Sequence, residues 1–250
     1  MHKNKPDWTK LITPEMAEVV AHIRQWNEEH PATSNYLQDY MDERVFWNDG
    51  GPVPAKVIEV EIEGPYGKIP CRLHYPRISD QPMGMMLYAH GGSLYLGNND
   101  THSRIMRTLT EKSDTVVIGV DYHLAPQNRF PKWIEECVVA TKYFRAHAAE
   151  YGLDANDVSF AGDSAGAWLS MATMLWLRDE DSDISYVTSL LLYYGLYGMY
   201  DSPTQRLYGN EIDGMMREYD EKLYPASIVD EEDVKSPHCD LLYNDLTQNV

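Results

Sequence analysis

Ser164 stands between two glycines in Gly162-Asp163-Ser164-Ala165-Gly166, after the apolar run Val158–Ala161 and before the apolar run Ala165–Leu177. A G-x-S-x-G pattern between a short strand and a buried helix suits a serine nucleophile. The glycines allow a sharp turn with the serine at its tip. The helix N-terminus and the Ala165 amide then face any oxyanion formed there. An N-capping serine in a glycine-rich turn is the plainer alternative, and the strand–helix context favours the nucleophile. A second signal lies upstream. His90-Gly91-Gly92-Ser93 follows the apolar Met85–Ala89, and glycines after a strand let backbone N–H groups approach a ligand closely.

A serine nucleophile needs a base, and in this arrangement the order is Ser, acid, His. The only histidine after Ser164 is His238, in Ser236-Pro237-His238-Cys239-Asp240. Asp201, Asp213 and Asp230 are the upstream acids available to orient it, but no strand precedes it and it reads as a solvated loop histidine. His22, His30, His102 and His147 fall in helical stretches and read as surface or packing residues, with His102 placed to line a pocket.

The elements that must position these residues are readable from periodicity. Residues 14–29 carry Met16, Val19, Val20, Ile23 and Trp26 on one helical face, with Thr13 as N-cap and Pro14 at the first position. A more polar helix spans 35–46. Strands are expected at 57–62 and 71–75, joined by Gly64-Pro65-Tyr66-Gly67, then at 85–89, 115–120, 158–161 and 187–193. Helices are expected at 100–113, from Pro131 to about Gly152, and at 165–177. The run Thr115–Val120 is almost continuously apolar, as for a strand covered on both faces. Strands alternating with helices predict an α/β fold with a mostly parallel sheet and helices on both faces. The expected division is an N-terminal helical cap over residues 1–50 and a core over 51–250, with 200–235 contributing to the cap.

Composition limits the function. The 250 residues hold 21 Lys plus Arg against 39 Asp plus Glu, a formal charge of −18. Such a surface repels phosphate backbones and anionic lipid, so neither nucleic acid nor a membrane is expected as partner. Cys71, Cys137 and Cys239 form no C-x-x-C pair and read as free thiols. With no apolar segment after the N-terminal lysines, the expected location is the cytoplasm. No ligand cluster or phosphate loop points to a metal or organic cofactor.

The stretches RVFWNDGGP, AHGGSLYLGNNDTHSRIMR, VIGVDYHLAP, FAGDSAGA, LWLRD and YYGLYGMYDS resemble the hormone-sensitive-lipase branch of the α/β-hydrolases. The resemblance implies an α/β-hydrolase fold and hydrolysis of short-chain acyl esters, acetyl above all. It implies Ser164 as nucleophile, the amides of Gly91, Gly92 and Ala165 as oxyanion hole, and His90 as a brace for its loop. Gly162, Asp163 and Gly166 complete the motif. Tyr95 and Trp168 are compatible with a short acyl pocket. A second copy of the chain or a regulatory protein are the partners implied beside the ester.

The departures carry information. Ser93 stands where the family has a third glycine, which would narrow the acyl pocket. His123 and Gln127 in DYHLAPQ replace the family's Arg and Glu, so a structural ion pair is expected to be missing. The family's acid-bearing and histidine-bearing segments are not found, which corresponds to two strand–helix units, roughly 60 residues at about 30 each. The expectation is therefore a C-terminally shortened esterase of low or no activity, with Val187–Tyr193 as an exposed sheet edge. An esterase-like binding protein that has lost its triad and a formamidase-type amide hydrolase are the alternatives.

Overall fold

The computed structural model describes residues 12–181, 183–198, 229–230 and 232–247. The chain divides into two compact units, Met1–Arg44 and Val45–Val250. The boundary thus falls inside the second helix rather than after residue 50. Of the first unit, α1 (Pro14–Glu29) starts as expected, with the Thr13 hydroxyl accepting the Met16 amide. Its apolar face is not buried: no residue of α1 is. The second helix, α2, spans Tyr36–Asn48. Most of the stretch 200–235, expected to join the cap, lies outside the described residues.

The second unit is a six-stranded sheet in the order β1-β2-β4-β3-β5-β6. β1 (Lys56–Gly64) and β2 (Gly67–Tyr75) form an antiparallel hairpin, and β2 pairs antiparallel with β4 (Val116–Val120). β3 (Met83–Ala89) pairs parallel with β4 and with β5 (Leu153–Asp163), and β5 pairs parallel with β6 (Val187–Tyr193). β4 is buried along its whole length, as its apolar run requires. Alternate side chains of β3 enter different clusters. Met85, Leu87 and Ala89 join the large core with Trp133, Ile134 and Leu169, whereas Met86 and Tyr88 meet Met106 and Leu109. The first set of helical residues comes from α4 (Lys132–Ala146) and α6 (Ala165–Glu180), the second from α3 (Ser103–Ser113). Helices therefore cover both faces, and a one-turn helix, α5 (Ala148–Tyr151), precedes β5.

Among the described residues β6 has a strand neighbour on one side only, and it is the least buried strand of the parallel set. The segment 232–247 packs along α6. There the Trp168 indole N–H donates to the Cys239 carbonyl (2.9 Å) and the Arg178 guanidinium donates to Asn244 Oδ1 (2.5 Å) and the Asp245 carbonyl (2.6 Å). All three cysteines are free and buried, in β2, α4 and this segment. No helix among the described residues is long and apolar enough to cross a membrane.

Candidate active site

β5 ends at Asp163 and α6 begins at Ala165, so a single residue, Ser164, makes the turn. Its φ of 52° and ψ of −121° lie in a region that L-residues rarely occupy. Two contacts hold it there. The Ser164 amide donates to the Tyr193 carbonyl at the end of β6 (2.9 Å), and its own carbonyl accepts the Ala167 amide (3.1 Å). α6 can start this close to β3 only because residue 166 has no side chain: a Cβ there would stand 2.0 Å from the Ala89 carbonyl oxygen. The turn leaves Ser164 half-buried at the carboxyl end of the parallel strands, where open α/β sheets place their sites.

Asp163 is the hub beside it. Its Oδ1 accepts the Tyr88 hydroxyl (2.6 Å) and the Gly91 amide (2.9 Å), and its Oδ2 accepts the Tyr194 hydroxyl (2.9 Å). His102 Nε2 lies 3.6 Å from Oδ2, at ion-pair range rather than hydrogen-bond range. Burial alone would raise the Asp163 pKa. The His102 imidazole, the Tyr88 hydroxyl and the Gly91 amide outweigh it and hold the carboxyl well below the usual range. The same contact corrects one expectation. The Gly91 amide is directed at Asp163, so it is not free to point at an oxyanion, and of the three expected donors Gly92 and Ala165 are left.

The loop after β3 is tightly folded. Gly92 has φ 120°, and a Cβ there would lie 2.1 Å from the Leu96 carbonyl oxygen. The Gly92 carbonyl accepts the amides of Tyr95 (3.0 Å) and Leu96 (2.9 Å). Ser93 and Leu94 follow at φ 55° and 64°, so Ser93 holds a left-handed conformation that a glycine would adopt without strain. His90 braces this loop. It is buried, its ring stacks on Tyr122 at 4.4 Å between centroids, its Nδ1 is 2.8 Å from the Gly91 carbonyl, and its own carbonyl accepts the Tyr122 hydroxyl (2.7 Å). Burial first, then the neighbouring His102, pull its pKa down to about 3. A neutral, enclosed imidazole of this kind fixes backbone and does not relay protons.

His238 sits elsewhere. Its Nε2 pairs with Asp179 Oδ2 (2.8 Å) and its ring lies against Trp176 (4.8 Å). Asp179 is fifteen residues from Ser164 along α6, which at 1.5 Å per residue is about 22 Å away. Asp230 is likewise spoken for, by Arg129 (2.7 Å), while Asp201 and Asp213 lie outside the described residues. Trp168, expected near the acyl pocket, is instead buried with its indole N–H on Cys239. His102 is buried beside Asp163 with Nδ1 2.9 Å from Thr101 Oγ1, a packing position within the network. Where an ion pair was expected to be missing, His123 Nδ1 instead meets Glu136 Oε1 (2.5 Å).

Sequence reasoning did not find Tyr88, Tyr122 or Tyr194. All three lie 31 or more residues from their partners, and no local pattern marks such contacts. No group of three His, Cys, Asp or Glu able to hold a metal ion occurs among the described residues.

A family model described as the alpha/beta hydrolase fold matches residues 86–250. Acetyl esterases of Salmonella typhi and Salmonella paratyphi B are 44% and 45% identical to the chain over 213 residues. The match covers 85% of this chain and 65% of either relative, so the chain spans less than two thirds of their length. Among solved structures, a hyperthermophilic esterase from Pyrobaculum calidifontis has a TM-score of 0.77 at 25% identity, over 90% of this chain and 75% of that one. A thermostable carboxylesterase from a metagenomic library, EstE1, has a TM-score of 0.75 at 25% identity, over 86% and 74%. With the serine at the strand–helix turn, the glycine loop facing it and these likenesses together, the chain belongs to the α/β-hydrolase family.

Proposed function

We propose that the chain carries the nucleophile and oxyanion hole of a carboxylic ester hydrolase acting on short-chain acyl esters, acetyl esters first among them. The observation that carries this reading is Ser164, held at φ 52° on a one-residue turn between β5 and α6. Nothing about an ordinary strand–helix connection needs that conformation in a serine, whereas a nucleophile gains an exposed Oγ from it. The acetyl esterase relatives and the esterase structures agree with the reaction class.

In the proposed reaction the Ser164 oxygen adds to the ester carbonyl carbon and the carbonyl π pair moves onto oxygen. The amides of Gly92 and Ala165 stabilise that charge, helped by the positive end of α6. The proton leaving Ser164 passes through a general base to the departing alkoxide as the C–O bond breaks. Water then attacks the acyl-enzyme by the same route and releases acid. His238 is not this base, given its pairing with Asp179, and the buried His90 is not either. The proposal therefore draws the base and its acid from outside the described residues. Without them, the oxyanion hole and binding alone would leave about 10³–10⁴-fold acceleration over water.

The test is p-nitrophenyl acetate hydrolysis by the 250-residue chain and by Ser164→Ala, with mass spectrometry for an acetylated Ser164. Faster turnover by the unmodified chain, with acetyl on Ser164, supports the esterase. Equal rates with an unlabelled Ser164 reject it for this chain. Preference for a formyl amide over the acetyl ester would redirect the assignment to amide hydrolysis.

A further inference from the structure

The loop from β4 to α4, residues 121–131, is bonded to the glycine loop through its first half. The Asn99 amide donates to Asp121 Oδ1 (2.6 Å), the Tyr122 hydroxyl to the His90 carbonyl (2.7 Å), and the Ala125 amide to the Leu94 carbonyl (2.8 Å). Between Tyr122 and Ala125 the loop is fixed to α4 through one carboxylate. Glu136 is fully buried, accepts the His123 backbone amide on Oε2 (2.8 Å), and meets His123 Nδ1 at Oε1 (2.5 Å). Burial of the Glu136 carboxylate raises its pKa, and the two His123 contacts oppose that. The imidazole itself reaches water: its side chain is 35% exposed, and it lines an open groove of about 510 Å³ with Lys68, Asp121 and Gln127.

We propose that His123 is a positioning residue for the oxyanion loop, acting through Glu136. The proposal rests on the esterase reading only for the loop's role, not for the coupling. A buried carboxylate holds a loop only while its donors stay in place, because a lost donor leaves an uncompensated buried charge. Without the His123 imidazole the Glu136 carboxylate loses its partner on Oε1, and residues 121–125 are less firmly held. The glycine loop loosens with them through the three bonds above. Other ionisable groups surround the pair: Lys132 acts on Glu136 from α4, Glu135 bonds Tyr66 of the β1–β2 turn, and Lys68 and Asp121 share the groove.

Hydrogen exchange of the full chain, read by mass spectrometry on peptides from 90–101 and 121–136 at one pH, compares the unmodified chain with His123→Ala and His123→Arg. Lys132, Lys68 and Asp121 are common to all three proteins. The expected result is about tenfold faster exchange in 90–101 for His123→Ala and a return to within about twofold for His123→Arg, which restores a donor to Glu136. In a Glu136→Gln background His123→Ala should add no further change. Unchanged exchange in 90–101 for His123→Ala overturns the proposal, and so does a change confined to 121–136. If His123→Ala does not fold, His123→Asn takes its place with the same expected and overturning results. Exchange needs no turnover. A chain without Ser164-dependent hydrolysis but with the expected exchange pattern would sink the esterase reading and leave the positioning role standing.

Discussion

Asp163 does two jobs with one carboxylate. It takes the Gly91 amide for itself and ties the glycine loop to β5 one residue before Ser164, the proposed nucleophile. Asp163→Asn keeps the shape but loses the charge and replaces one acceptor with an N–H₂ that faces either the Tyr88 and Gly91 donors or the Tyr194 donor. We expect acylation of Ser164 to fall about 10²–10³-fold, the scale of losing one oxyanion donor. Stability should fall by about 3–5 kcal/mol, as when one partner of a buried charged cluster is removed. Burst kinetics with p-nitrophenyl acetate and urea melts would measure the two. Ser164 offers the opposite case. Ser164→Gly should raise stability by about 1 kcal/mol by relieving a positive φ, while Ser164→Ala should not, because alanine inherits the strain. Paired thermal melts would separate them. The serine and its glycines are legible in the sequence because they are contiguous. Tyr88 and Tyr194 are not, because they meet Asp163 only once β3, β5 and β6 are side by side.

The strand–helix turn works as a unit because β3 and α6 nearly touch. A methyl group at position 166 would press on the Ala89 carbonyl, a backbone atom with no rotamer to yield. Gly166→Ala should therefore cost about 3 kcal/mol or more, at the severe end of overpacking, and depress the melting temperature accordingly. Gly152, with open space around it, is the control site, where alanine should suffer only from its positive φ. Most elements here were readable, since β4 is an apolar run, β6 ends in one at Leu190–Tyr193, α4 is long and periodic and α6 is apolar nearly all round. The start of β5 was not. Leu153–Asp157 (LDAND) is too polar to read as strand, yet Leu153 pairs with Met83 before a register shift restores the pattern at Val158. The apolar stripe of α1 forms the expected helix, yet none of its residues is buried, because periodicity shows that a face exists and not what covers it.

At the scale of the molecule, acid should act through histidines kept neutral. Burial first, with Arg72 and Arg107 adding to it, lowers the His74 pKa to about 4, and His90 falls to about 3. Both lie below the unfolded value of about 6.5, so the unfolded chain binds the extra protons. Their contribution is complete above about pH 6.5 and is lost as pH falls toward 4. Each group costs up to about 1.4 kcal/mol per pH unit over that window. Urea melts at pH 7 and 5.5 should differ by about 1–3 kcal/mol, and His74→Gln should reduce the difference. An acid limb that begins only below pH 4 would show that neither histidine is held neutral. Asp163 adds nothing until lower pH, because its depressed pKa preserves its contribution down to about 3.8, the unfolded value.

The three buried thiols turn this architecture into a set of clocks. Cys71 lies in β2, Cys137 in α4 and Cys239 in the segment along α6. Burial pushes each thiol upward, Cys239 to about 12, so an alkylating reagent meets almost no thiolate until the local structure opens. Each alkylation rate then times the opening of its own layer. Cys239, held by a single short segment, should react first and Cys71, inside the sheet, last. Three peptides in one digest would thus rank the order in which the molecule comes apart, with no introduced probe.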